Sequence, residues 1–411
     1  MRRLALAKIK QHFPRTFIGD VEAVIKLQMR CFVSSVRPGM SIAITAGSRG
    51  ITGIPFILKT IAESLRSMGA KPFLVAAMGS HGGGTVNGQT QVLQHLGIDE
   101  GTTGVPLRIT SDAVAVGTTP GGQTLYVDQE AFKADAIFLV NRVKLHTAFQ
   151  DRLASGLFKI LTVGLGKVPG ATQVHKLNSS GMYASIVEMG RMALEKLPII
   201  GGIAIVENGY EETAGIEGFL PSAIEEGEKK LLQYAAGLLP RLPVQELDVL
   251  IVDEMGKNYS GTGMDTNVIG RWKATGMPEP EWPKIRRIVV LRLSSESQGN
   301  ANGLGLADVT TKKLVEAIDW NATLMNVRTT GFWDRAFCPP FPGSDRDAIE
   351  WSLKGLKVSD EQPISVGRIR NTLHLENLWL NETAFASAEK CDRVSDYVPL
   401  SFDDHGDLES Q

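Results

Sequence analysis

"MSIAITAGSRGITGIPFILKTIAESLRSMGAKPFLVAAMG", residues 40–79, decides how this 411-residue chain folds. Its first eight residues are a short apolar run ending in glycine, the pattern of a strand buried on both faces. The next segment places Ile54, Ile57, Ile61 and Leu65 at helical spacing, an apolar stripe along a helix. "KPFLVAAMG" (71–79) is a second buried strand. A strand, a helix and a strand in so short a stretch imply a mostly parallel sheet with helices on its faces.

The same grammar continues on both sides. "TVNGQTQVLQHLGI" reads as a helix closed by Gly97, and "ADAIFLVNRV" (134–143), "IGGIAIVENG" (200–209), "LDVLIVDEMG" (247–256) and "KIRRIVVLRL" (284–293) read as further buried strands. "TKKLVEAID" (311–319) and "DAIEWSLKGL" (347–356) read as helices. The length suits two domains, and the two prolines of "AAGLLPRLPVQ" (235–245) mark a linker. The expected architecture is α/β: two α/β domains with mostly parallel, Rossmann-like sheets and an active-site cleft between them. Residues 1–245, with about 365–411 returning to pack on them, form the expected N-terminal catalytic and cofactor domain; 246–364 form the C-terminal α/β domain. The acidic tail "SFDDHGDLESQ" is expected to fray.

Composition narrows the function. Lys plus Arg number 43 against 45 Asp plus Glu, a net charge of −2. That balance argues against nucleic acid or an anionic membrane as partner, since both favour a basic excess. No run reaches the ~18 apolar residues of a membrane span. The three scattered cysteines, Cys31, Cys338 and Cys391, offer neither a disulfide framework nor a zinc motif. The expected setting is the cytoplasm, with a small molecule as ligand.

Ligands of open parallel sheets bind beyond the carboxyl ends of the strands. Three polar clusters stand there: "TAGSRG", "GSHGGGT" and "NRVKLHTAF", carrying Arg49, His81 and His146. Further on, "SGLFKILTVGLGKVPGATQVH" (155–175) holds Lys159, Lys167 and His175 in a glycine-rich run. Taken singly, each has an ordinary reading, a turn histidine or a solvated cation. The loop "GSHGGGT" lets backbone approach an anion at a helix start, but it is neither GxGxxG nor GxxxxGK[ST].

The joint order is more specific. "TAGSRG", "AAMGSHGGGT", "KLHTAF", "GLFK…H" and "GTGMDTNVIGRWK" occur in register, and together they resemble the lactate racemase family from about residue 40 to about 300. The resemblance implies a racemase or epimerase of a 2-hydroxy acid, an isomerase working by proton-coupled hydride transfer. Its cofactor is a nickel-pincer nucleotide, the Ni-bound pyridinium-3-thioamide-5-thiocarboxylic acid mononucleotide, made by separate cofactor-biosynthesis proteins. The family's tethering lysine falls on Lys159, with Lys167 as the other candidate, and its nickel-ligating histidine on His175. The proton-transfer histidines fall on His81 and His146, the carboxylate-binding arginine on Arg49, and the substrate-side lysine on Lys273. Asp265 and Asn267 match a family signature. Two other classes stay open: a binding or carrier protein that keeps the fold without turnover, and a conventional dinucleotide-dependent 2-hydroxy acid oxidoreductase.

Overall fold

The structure, a computed structural model, describes residues 4–146, 153, 155–175, 179–274, 278–359 and 361–409, with backbone alone at 175, 179, 180 and 329. The chain forms two compact α/β units, Arg15–Leu239 and Met1–Pro14 with Pro240–Gln411.

The first strand, β1 (Ala5–Gln11), belongs to the sheet of the latter unit. The next eight build Arg15–Leu239. Six of them are β2 (Ser41–Ala46), β3 (Lys71–Ala76), β4 (Leu107–Arg108), β7 (Ala136–Arg142), β8 (Ile199–Glu207) and β9 (Thr213–Phe219). They form one sheet in the order β4-β3-β2-β7-β8-β9. Every neighbouring pair in it is parallel except β8 with β9. The chain runs outward from β2 through β3 to β4, then returns to the other side of β2 as β7. The sheet therefore reverses its winding between β2 and β7, the place where open α/β sheets receive ligands. A separate hairpin, β5 (Ala113–Thr118) with β6 (Thr124–Asp128), interrupts the pattern.

Burial explains why these residues take these forms. All of β2 except Ser41 is buried, as a strand covered on both faces must be. The helix Ile54–Ser67 has Pro55 in its first turn, where a missing N–H costs nothing. It ends before Gly69, whose φ of 90° is a left-handed backbone that favours glycine. The four stripe residues Ile54, Ile57, Ile61 and Leu65 all lie in the core against Ile42, Ile44 and Leu74. Each buried side chain of this kind contributes about 1.5–3 kcal/mol, so packing holds the helix in place.

The other unit is built on β10 (Glu246–Met255), β11 (Lys284–Leu293), β12 (Val366–Ile369), β13 (Asn377–Leu380), β14 (Cys391–Arg393) and β15 (Val398–Pro399). Its order is β11-β10-β12-β13-β1-β14, with β15 also paired to β1. β10 is parallel to β11 and β12; the remaining pairs are antiparallel.

Three expectations change here. β1, expected within the N-terminal domain, lies in the sheet of the other unit, because its edges pair with β13 and β14. The stretch from about 365 stays with the second unit rather than returning to the first: Val366 and Ile369 pair with Val249 and Val252 of β10, and Leu378 and Leu380 enter the same core as Ile9. The acidic tail is also anchored through Glu409. Leu408 is buried, its amide donates to Asp345 Oδ2 at 2.9 Å, and Asp403 accepts from the amides of His405 and Asp407. Short strands and capped turns owe their order to pairing partners distant in the chain, which a local reading of polarity cannot see.

Candidate functional site

The loops leaving β2 and β3 start in step, because the Ala77 amide donates to the Ala46 carbonyl at 2.8 Å. Two residues beyond Ala46, Ser48 Oγ lies 2.5 Å from His81 Nδ1. The His81 amide donates to Met78 O at 3.1 Å, and its carbonyl accepts from Gln89 Nε2 at 3.5 Å. The glycines that follow serve close backbone approach. A Cβ on Gly82, whose φ is 64°, would lie 2.5 Å from the Gly88 carbonyl carbon. The loop is thus folded onto the first turn of the helix Val86–His95. Thr85 caps that helix by accepting from the Gly88 amide at 3.1 Å. One of the amides expected to face an anion is already bonded.

The glycine-rich run forms a helical path in three pieces: Gly156–Lys159, a π-helical turn Ile160–Gly164, and Lys167–His175. Isolated π-turns often accompany functional sites. The path is fastened to the ends of the sheet. Asn141 Nδ2 donates to Gly156 O at 2.7 Å, the Lys144 amide to Ser155 Oγ at 2.7 Å, and the Gly79 amide to Gly164 O at 3.0 Å. From below, Glu228 Oε2 accepts from the amides of Leu157 and Phe158 at 2.8 and 3.1 Å. These are two of the donors that a helix start leaves without intrahelical partners.

Lys159 is half-buried. Burial, helped by the positive charge of Arg49, brings its pKa down to about 8. Arg49 itself is open to solvent, yet the protein around it and the charge of Arg142 lower its pKa. Three cations therefore share the carboxyl ends of β2 and β7. Glu207, at the end of β8, pairs with Arg142 and also accepts from the Thr52 amide at 2.7 Å. The structure thus brings together Arg49 with Lys159, and Ser48 with His81. His146 is half-buried on the loop after β7, four residues beyond Arg142. The backbone of His175 closes its helix; its side chain lies outside the described residues.

Lys167, the other candidate tether, lies inside the protein. Its side chain is 1% exposed and its ammonium lies 2.8 Å from Asp128 Oδ2. It also donates to Ala76 O at 2.7 Å and to Gln89 Oε1 at 3.1 Å. Two hydrogen bonds and the adjacent Asp128 carboxylate surround the ammonium, so this amine is committed to an internal ion pair. Asp128 uses its other oxygen to cap the helix Gln129–Lys133.

Lys273 sits in the other unit, half-buried, with φ 41°. Its ammonium donates to Gly305 O at 2.6 Å, and burial, with Arg271 nearby, lowers its pKa. The signature residues before it bond to each other. Buried Asp265 accepts from the Asn267 amide and side chain at 3.0 and 3.1 Å, capping the short helix Thr266–Ile269.

Sequence reasoning missed Ser48, Arg142 and Glu228. The signal for Glu228 was present. It lies four residues after Ile224 and three before Leu231, on the apolar stripe of the helix Ile224–Leu238, where a carboxylate is out of place unless it has a task.

No protein-family model matches this chain, and no curated protein matches it. Among solved structures it is similar to the lactate racemase apoprotein from Thermoanaerobacterium thermosaccharolyticum. The TM-score is 0.54 at 10% identity, over 90% of this chain and 99% of that one. It is also similar to a Thermotoga maritima protein from a structural genomics consortium, with a TM-score of 0.53 at 14% identity, over 88% of this chain and 98% of that one. At these identities the likeness establishes a lactate-racemase-like fold. Among the described residues no helix is long and apolar enough to cross a membrane.

Two predictions follow from the buried charges. Replacing Lys167 by Met leaves Asp128 buried without its counter-ion and should cost about 3–5 kcal/mol, read as a lower urea midpoint. Burial raises the Glu228 pKa from 4.5 to about 8. A folded-state pKa above the unfolded one means the native chain binds more protons between those values. The stabilisation is complete below pH 4.5 and is lost as pH rises through about 8. Glu228→Gln keeps an acceptor for Leu157 and Phe158 and removes the titration. Its urea midpoint should gain on the wild type between pH 5 and pH 9. Glu228→Ala should lose about 1–3 kcal/mol at pH 5 from two orphaned amides.

Proposed function

We propose that this chain interconverts the two configurations at C2 of a 2-hydroxy acid, as a racemase or epimerase, with a nickel-pincer nucleotide held on Lys159. The observation that carries this reading is the seating of the run that bears Lys159 on the strand ends, through Asn141 to Gly156 O and Gly79 to Gly164 O, at the same sheet edge as the loop of His81. The lactate-racemase-like fold supports it.

The chain's own residues suit such a group. An amine with a pKa of about 8 has a far larger unprotonated fraction near neutral pH than an ordinary lysine, the form a covalent tether requires. The cluster of Arg49, Arg142 and Lys159 suits an anionic nucleotide. Lys159 would be the covalent tether and His175 the nickel ligand, imidazole being a good donor to that metal. When bound, the nucleotide supplies a pyridinium carbon that accepts and returns a hydride.

The protein handles charge and protons. Arg49 holds the substrate carboxylate through its planar fork, and Lys273 is the second cation proposed for the substrate. Two enantiomers present their hydroxyls to opposite sides, so two bases are required. His81 serves one hand and His146 the other, each taking the hydroxyl proton in one direction and returning it in the reverse. Proteins that assemble the cofactor are the implied partners.

The test is expression of the chain together with cofactor-assembly proteins, followed by intact mass and a chiral assay over a panel of 2-hydroxy acids. A covalent adduct should form and be absent in Lys159→Ala. His81→Ala and His146→Ala should each slow interconversion by about 10²–10⁴ with the adduct intact. An adduct that survives in Lys159→Ala, or wild-type rates in both histidine variants, would overturn the reading. An adduct without turnover on any acid would favour a carrier.

A cofactor-free measurement addresses the tether alone. Under limiting acetic anhydride, Lys159 should be acetylated with a pH midpoint near 8, well below that of ordinary exposed lysines. Peptide mass spectrometry across pH 6–10 reads the midpoint; a value near 10 would remove the premise of an activated amine.

A further inference from the structure

We infer that Ser48 is a positioning residue for His81: it holds the ring with Nδ1–H toward its hydroxyl, so that Nε2 is the nitrogen that exchanges protons. The inference rests on the reading of His81 as a proton carrier and extends it to a residue that motif order did not mark.

β2 and β3 are parallel neighbours, and the Ala77–Ala46 hydrogen bond continues their ladder past the last paired residues. The loops bearing Ser48 and His81 therefore leave the sheet at a fixed spacing. Met78 O and Gln89 Nε2 secure the backbone of His81 on either side of its side chain. Gln89 is fully buried, donates to Gly79 O as well, and is held by the Lys167 ammonium. With the backbone secured, the side-chain torsions remain, and the 2.5 Å contact from Ser48 Oγ to Nδ1 constrains them.

The identity of the partner matters. A carboxylate at Nδ1 could only accept, and would favour the imidazolium. A hydroxyl can accept or donate and carries no charge. With Nδ1–H donating to Ser48 Oγ, the same hydrogen bond survives in both the neutral ring and the imidazolium. A proton then enters and leaves at Nε2 without any rearrangement. A histidine that must be a base toward one enantiomer and an acid toward the other needs this indifference. Were Ser48 instead the donor, Nε2 would carry the proton in the neutral ring, and protonation at Nδ1 would require the hydroxyl to turn.

The tautomer can be read directly from long-range ¹H–¹⁵N spectra of the full chain labelled at histidine nitrogen, at pH 8.5. His81 is assigned by loss of its signals in His81→Gln, and the other histidines among the seven report on the fold. We expect Nδ1–H to be the majority form of His81 in the wild type. Ser48→Ala should reverse the ratio in favour of Nε2–H, and Ser48→Thr should restore it while the remaining histidine signals stay in place. A wild-type majority of Nε2–H, or a ratio unchanged by Ser48→Ala, would overturn the inference. The spectra need neither cofactor nor substrate. A chain without racemase activity would fail in the chiral assay, and a chain whose Ser48 does not orient His81 would fail here.

Discussion

A single buried ammonium organises the carboxyl edge of the Arg15–Leu239 sheet. Lys167 ties the end of β3 through Ala76 O, the helix behind the His81 loop through Gln89, and the end of β6 through Asp128. It also begins the helix that runs to His175. A charge in a dry interior is tolerated only when its hydrogen bonds and counter-charge are all in place. The constraint works in both directions: the ammonium needs its acceptors, and the four segments it touches are held at the distances its bonds require. The seating of the glycine-rich run over the ends of the strands depends on it.

On that foundation the fold collects groups that a stability argument alone would keep apart. Arg49, Arg142 and Lys159 share one edge, with Glu207 as the carboxylate bonded to Arg142. Nearby, Glu228 is buried beneath the helix start that leads to Lys159, and its pKa is raised to about 8. Unfavourable electrostatics of this kind persist where the surrounding packing is strong enough to hold them, and they concentrate at functional sites. The buried stripe of Ile54–Ser67 and the two-sided burial of β2 supply that packing.

Much of the first unit was legible. The strand at 41–46, the helix with its stripe at Ile54, Ile57, Ile61 and Leu65, and the strand at 71–76 all stand where periodicity put them, because both-face burial and one-face burial leave different spacings of apolar residues. Arg49 and His81 were legible as strand-end residues for the same reason. The hairpin β5–β6 and the short strands after residue 365 were not. Their sequences are weakly patterned, and β12 is a strand because β10 offers it a parallel edge. The tail looked polar enough to fray, yet Asp403 spends its carboxylate on its own backbone and Leu408 finds a core.

The choice between two lysines shows where sequence stops. Lys159 and Lys167 lie eight residues apart in one glycine-rich run, and the resemblance alone ranks Lys159 first with Lys167 as the runner-up. By itself the sequence determined that strand, helix and strand would alternate, and that cations and histidines would gather where strands end, since apolar spacing and chain direction are local properties. Only the tertiary structure decided that Lys167 faces Asp128 inside the protein while Lys159 stands beside Arg49, and that Ser48 meets His81. Burial and charge proximity arise between segments far apart in the chain, and a residue acquires them only from what folding sets against it.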